Sequence, residues 1–297
     1  AGANIVGSYK DSSGSHGTLY DGSTWHTHDH LGATDTYLNG INGANIVGFY
    51  TDSSGWHGTH YDGSTWHTLD HPSATYTWAN DIDGTNIVGT YDGGSRYHGF
   101  HYDGSTWQTL DHPGAINTYL SGIDGSDMVG AYSDSSGSHG TLYDGATWQT
   151  FDHPSATAGT YLTGIDGTNI VGYYTDSSGT HGTLYDGSTW HTLDPPGATN
   201  TYLFGIDGTN MVGYYMDSSG EHGTHYDGST WATLDHPSAT RTHLYGIDGA
   251  NMVGSYTDSS GEHGTLWDGS SWHTLDHPSA TAGTSLFGID GANMVGY

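Results

Sequence analysis

Residues 36–75 read TYLNGINGANIVGFYTDSSGWHGTHYDGSTWHTLDHPSAT. Runs rich in Tyr, Ile, Val and Thr are broken by Asn42-Gly43 and Asp62-Gly63, both strong signals for short hairpin turns. The spacing predicts four strands: Thr36–Ile41, Asn45–Tyr50, Gly58–Tyr61 and Thr65–Leu69. The last connection, Asp70-His71-Pro72-Ser73-Ala74-Thr75, contains Pro and has no tight-turn pair. It is expected to carry the chain from the outer strand of one sheet to the inner strand of the next.

The same text recurs along the chain. Asn-(Ile/Met)-Val-Gly, with Asp127 opening one copy, places its Ile or Met at 5, 46, 87, 128, 170, 211, 252 and 294. Trp25, Trp66, Trp107, Trp148, Trp190, Trp231 and Trp272 keep the same phase. A period near 41 residues with four strands per unit is that of a propeller blade. The expectation is an all-β, seven-bladed β-propeller formed by residues 1–297 as one domain, its ring closed by N- and C-terminal strands. Tight antiparallel hairpins speak against a parallel β-helix. Counted in this frame, Asn293–Tyr297 duplicates Asn4–Tyr9 and is surplus to the ring. It is either a frayed end or a strand that docks on another molecule. Gly40, Gly122, Gly164, Gly205, Gly246 and Gly288 sit on the inner strand, where crowding at the axis disfavours a Cβ; Asp81 breaks the series.

Composition narrows the partners. Three Lys and Arg against 32 Asp and Glu give a formal charge of −29. That excludes the basic footprint of nucleic-acid or anionic-membrane binding. No run approaches the roughly 18 apolar residues of a membrane helix. There is no Cys, so no disulfide holds the fold. Ala1 falls inside a repeat without an initiator Met, as expected of a processed or trimmed chain. No Asn-X-Ser/Thr sequon occurs.

Candidate residues are repeated with the blades. His16, His57, His98, His139, His181, His222 and His263 each precede Gly. One metal ion cannot join them, because equivalent positions on neighbouring sheets stand about 10 Å apart and His–metal bonds are near 2 Å. A hydrogen-bond set within each blade, with Trp packed alongside, is the expected role. The Trp series is expected to fill the space between blades. Asp52, Asp217, Asp258 and their copies open Asp-Ser-Ser-Gly loops. One carboxylate per loop makes a poor calcium cage, so a turn-forming role is expected. Trp56 stands in such a loop in one copy only, and is the candidate for stacking on a sugar. His71, His112, His153, His236 and His277 in the crossing loops give way to Pro195 in one copy, which suggests a surface position.

The pattern Gly-Ile-Asp-Gly-x-Asn-Ile-Val-Gly-x-Tyr, Ser-Gly-x-His-Gly-x-x-Tyr-Asp-Gly, Trp-x-Thr-Leu-Asp-x-Pro resembles the HAF family of bacterial extracellular repeats. Ile46-Val47-Gly48, His57-Gly58, Tyr61-Asp62-Gly63 and Leu69-Asp70 carry the resemblance, which spans the whole chain. Thr59 departs from it where an aromatic residue is common, and Phe100 keeps one. The resemblance implies an extracellular, propeller-like protein and no particular reaction.

No paired acid–base carboxylates, nucleophile elbow or phosphate loop stands out, and every candidate is copied about seven times. An active site needs one asymmetric arrangement, whereas repetition favours avidity. The expectation is a non-catalytic, cofactor-free extracellular module that binds glycan or another extracellular ligand between blades on the long-loop face. Asp52, Ser53, Trp56, His57, His71, His112, His153, Asp217, His236, Asp258 and His277 are its candidate contacts. The alternative is a structural subunit of a filament or matrix that self-associates through Asn293–Tyr297. Because protonating 22 His offsets most of the −29 charge, solubility is expected to fall between pH 8 and 5. Light scattering that stays flat over that range would refute this.

Overall fold

Both faces of the predicted inner strand carry weight: in Asp35–Asn42, Thr36, Leu38 and Gly40 are buried and the residues between them half-buried. A strand covered on both sides belongs to a sheet packed between two others. The computed structural model describes residues 4–291. Among them are 28 strands and no helix, forming seven four-stranded antiparallel sheets. The first sheet runs Asp35–Asn42, Asn45–Asp52, Gly55–Tyr61 and Trp66–Thr68 in spatial order. Five more repeat it along the chain. The seventh is composite, with Gly283–Asp290 pairing Asn4–Lys10, followed by Ser15–Tyr20 and Trp25–Thr27. The surplus segment Asn293–Tyr297 lies outside the described residues. The sheets are the blades of a propeller, and a single parallel pair, Glu221 with Arg241, links the fifth to the sixth.

The turns differ from their sequence reading in two respects. Asn42 pairs with Asn45, so the central residues of the first hairpin are Gly43 and Ala44, one position later than expected. Gly43 has φ +61°, as required at the first central position of a type II′ turn. The second hairpin is no two-residue turn. Tyr61 pairs with Trp66 and leaves a four-residue loop, in which the Asp62 carboxylate accepts the backbone N–H groups of Ser64 and Thr65 at 2.9 and 2.8 Å. The fourth strand is accordingly reduced to Trp66–Thr68.

Each inner strand carries a β-bulge. Leu38 pairs with Gly48 and Gly40 with Val47, leaving Asn39 unopposed. The same shift isolates Asn80, Ser121, Thr163, Phe204, Tyr245 and Phe287. The glycine opposite the bulge is compulsory: a Cβ on Gly48 would lie 2.0 Å from the Tyr37 carbonyl oxygen.

Cores form between sheets. Val88 of the second blade joins Leu120, Ile123 and Met128 of the third, with Trp148 packed against them. Trp66 and Trp107 pack in the same way on neighbouring clusters, the interblade place expected of the series. Where Ala79 replaces the usual Leu, the cluster gains Phe100 in place of the Thr found elsewhere, a swap that conserves core volume.

Gly130→Ala puts a Cβ 2.0 Å from the Tyr119 carbonyl oxygen. It is expected to cost about 3 kcal/mol or more, read as a fall in the urea midpoint.

Candidate functional site

The long-loop face is built from the Asp-Ser-Ser-Gly turns. In the first blade Asp52 Oδ1 accepts from the Ser54 N–H at 2.6 Å and from the Ser54 hydroxyl at 2.6 Å. Ser54 Oγ lies 2.8 Å from His57 Nε2, and His57 Nδ1 lies 2.7 Å from Asp70 Oδ2. Asp217 with Ser219, His222 and Asp235, and Asp258 with Ser260, His263 and Asp276, repeat the set. The Ser54 bonds hold the Asp52 carboxyl down at about 2. Burial opposes charge on His57, but the Asp70 hydrogen bond and the Asp70 and Asp52 charges outweigh it and raise its pKa. These Asp and His side chains hold the turns. Tyr50, not Trp, stacks on His57, with ring centroids 5.0 Å apart. Ser53 is exposed beside them. In the second blade, where Gly93-Gly94 interrupts the motif, His98 keeps its Asp111 partner at 2.8 Å and Arg96 joins it at 3.1 Å.

The crossing-loop histidines are not on the surface. His71, His153, His236 and His277 are buried and His112 is partly so. Each lies flat on a Tyr of the next blade, His71 on Tyr91 at 3.9 Å and His277 on Tyr9 at 3.8 Å. His71 Nδ1 accepts the Ser73 N–H at 3.2 Å. Its proton therefore sits on Nε2, which donates to Thr109 Oγ1 at 3.2 Å. That hydroxyl in turn meets Tyr91 OH at 2.9 Å. Pro195, whose replacement of the His was read as a mark of exposure, is itself buried. Where Gly replaces Ser, as at Gly114 (φ +86°), the turn flips the peptide, and the Nδ1 atoms of His30 and His112 are left without a partner among the described residues. These five His are interblade struts.

Two columns, of which the sequence reading singled out only Trp56, define the remaining surface. At the long-loop end, Tyr37, Phe49 and Trp56 cluster in the first blade, with Phe49 and Trp56 centroids 5.5 Å apart. Trp78, Tyr97 and Tyr119 join the second blade to the third. Tyr161, Tyr173, Tyr202 and Tyr214 continue from the fourth to the fifth. Trp56 is 39% and Tyr97 38% exposed. The second column is the bulged residues, which line an axial cavity of about 260 Å³. Below it, Asn42, Asp83, Asp124, Asp166, Asp207, Asp248 and Asp290 surround the axis. Each accepts the N–H of the next blade's turn glycine, as Asp83 does from Gly125 at 2.8 Å and Asp290 from Gly43. Burial pushes the Asp81 carboxyl up to about 6, against hydrogen bonds from the Ile123 and Ile82 N–H groups. Among the described residues no group of three or more His, Asp or Glu is placed to hold a metal ion. The signal for both columns was copy-to-copy variation inside an otherwise fixed repeat.

No family model matches the chain, and no curated protein sequence matches it. Solved structures do. The β-propeller domain of the trilobed protease from Pyrococcus furiosus superposes with a TM-score of 0.68 at 11% identity, covering 94% of each chain. TolB from Acinetobacter baumannii gives 0.59 at 14% identity over 96% of this chain and 81% of its own. An acylaminoacyl peptidase from Pyrococcus horikoshii gives 0.58 at 12% identity, over 83% of this chain and 47% of that one. The likeness is one of fold: this chain is propeller-like.

Burial lowers the pKa of His153, while His181 is raised by Asp194 and Asp176 against its own burial. In the unfolded chain both titrate near 6.5. The contribution of His153 is thus lost as the pH falls below about 6.5. That of His181 is present below 6.5 and lost as the pH rises through its folded value. His153→Ala is expected to cost about 2–3 kcal/mol at pH 7.5, with a smaller penalty at pH 5.5. His181→Ala is expected to cost under about 1 kcal/mol at pH 7.5, with a larger penalty at pH 5.5. Urea midpoints at the two pH values check both.

Proposed function

We propose that the chain is a non-catalytic, extracellular, multivalent binding module for glycans, with contacts in the clefts between blades on the long-loop face. The observation that carries this reading is the aromatic column. Rings such as Trp56 and Tyr97 are half-exposed side by side with Phe49, Trp78 and Tyr119, and the C–H face of a sugar packs on such rings as apolar surface does. Ser53 and its exposed copies border the clefts and supply hydroxyls. Several weak clefts on one rigid body add avidity when the ligand is a polymer with repeated sugars. The ring that fixes their spacing is closed, in this reading, by Gly283–Asp290 against Asn4–Lys10. The extracellular location rests on the resemblance of the repeat to HAF proteins.

The direction of the protons supports a non-catalytic role. Ser54, His57 and Asp70 are connected in the order of a nucleophilic triad. A working triad needs a neutral imidazole to take the serine proton. Here the Ser54 hydroxyl is directed to Asp52, and the paired carboxylates favour an imidazolium that can only donate.

Retention on a panel of immobilised neutral polysaccharides tests the reading. The intact chain is expected to bind at least one of them. The double variant Trp56→Ser with Tyr97→Ser introduces the residue found at the equivalent Ser138 and should fold normally. It is expected to elute much earlier. No retention of the intact chain on any polysaccharide would sink the proposal.

A further inference from the structure

The seven bulged residues are the one ring of positions in which the repeat divides by chemistry around the axis. In chain order they are Asn39, Asn80, Ser121, Thr163, Phe204, Tyr245 and Phe287. Four consecutive blades thus present amides and hydroxyls, and the next three present aromatic rings, facing them across the cavity. A bulge leaves its extra residue outside the ladder and re-aims the side chain, so these residues do not serve strand pairing. Part of the polar arc is used between blades. Asn39 donates to the Ala79 carbonyl at 3.0 Å and Asn80 to that of Leu120 at 2.8 Å. Both residues line the cavity, and their amide oxygens have no hydrogen-bond partner among the described residues.

The aromatic arc is braced by the least repeated group in the chain. Glu221 and Glu262 are its only two Glu. Glu221 Oε2 lies 2.7 Å from His243 Nε2, which fixes the proton there. His243 Nδ1 then accepts from Tyr245 OH at 3.3 Å. The Tyr245 ring contacts Phe204 and Phe287, with centroids 5.5 and 5.3 Å away. This relay, with Ser255 beside it, fixes the Tyr245 hydroxyl in one direction.

We infer that the axial cavity is a single binding site for one uncharged pyranose ring. The sugar's apolar face lies on Phe204, Tyr245 and Phe287, and its hydroxyls meet Asn39, Asn80 and Ser121. A volume of about 260 Å³ is below the roughly 300–1,000 Å³ of sites for drug-sized ligands, so it takes one ring and not a chain. The carboxylates around the axis, from Asp83 to Asp290, with Asp81 among them, disfavour an anionic sugar. The inference rests on the glycan-binding reading above and adds to its interblade clefts one axial site with one ligand class.

Titration calorimetry with the methyl glycosides of glucose, galactose and mannose, and with methyl glucuronide, is the test. One of the neutral glycosides is expected to bind with one site per chain, and the glucuronide more weakly. Phe204→Asn and Tyr245→Asn copy the residue at the equivalent Asn39 and Asn80, so the fold is expected to accept them; each should weaken binding at least ~10-fold. Trp56→Ser should leave the titration unchanged. Indifference to Phe204→Asn, or equal binding of the glucuronide, would overturn the inference. So would failure of every glycoside while polysaccharide retention persists, and that outcome leaves the interblade reading standing. Loss of both kinds of binding in the intact chain ends both.

Discussion

A four-stranded sheet of about forty residues has two faces and can cover neither alone. Every apolar cluster in this molecule therefore has two owners, as Val47 of the first blade and Ile87 of the second do in one of them. The crossing loops turn that packing into a fixed angle. A neutral His from one blade lies flat on the Tyr of the next, while its Nε2–H and the Tyr hydroxyl meet on one Thr. Stacking sets the separation of the blades and the hydrogen bonds set their rotation. Shared outer strands or helices are absent among the described residues, so the relative placement of blades depends on this contact, the apolar clusters and the axial carboxylate belt.

The belt and the struts treat charge in opposite ways. Near the axis, carboxylates that would repel one another each take an N–H from the next blade's turn, so the acidic residues bind the blades together. In the struts the imidazole is desolvated and stays neutral. On the long loops the imidazole lies between two carboxylates and is charged more easily. One residue type thus serves two electrostatic roles in the same fold, separated by which groups face it.

Repetition and variation divide along the same lines. The turn Asp, the Gly opposite the bulge and the strand Val are held by geometry and recur in every copy. Positions that face the clefts or the axis are free of those constraints, and there the copies differ: Trp56 against Ser138 and Glu221, Asn39 against Phe204. The symmetry of the scaffold therefore does not make the binding surface symmetric, and a single axial site is compatible with seven similar blades.

Period, strand number and blade order were legible in the sequence because they depend on local chemistry: Gly at turns, alternation along strands, and a fixed interval between Trp residues. The turn-forming role of Asp52 and the His57 hydrogen-bond set could be read for the same reason, since their partners lie within about twenty residues. The crossing-loop histidines were misread, because a His beside Pro looks exposed until the next blade's Tyr91 or Tyr9 covers it. The bulge, which places Asn39 and Phe204 at the axis, has no mark in the alternation of one strand; it appears only when the partner strand fixes the register. The sequence by itself determined a propeller-like series of similar small sheets. Which side chains are buried between them and which meet at the axis was decided by the tertiary structure, because those neighbours come from different copies and proximity across a blade boundary is not written in any one repeat.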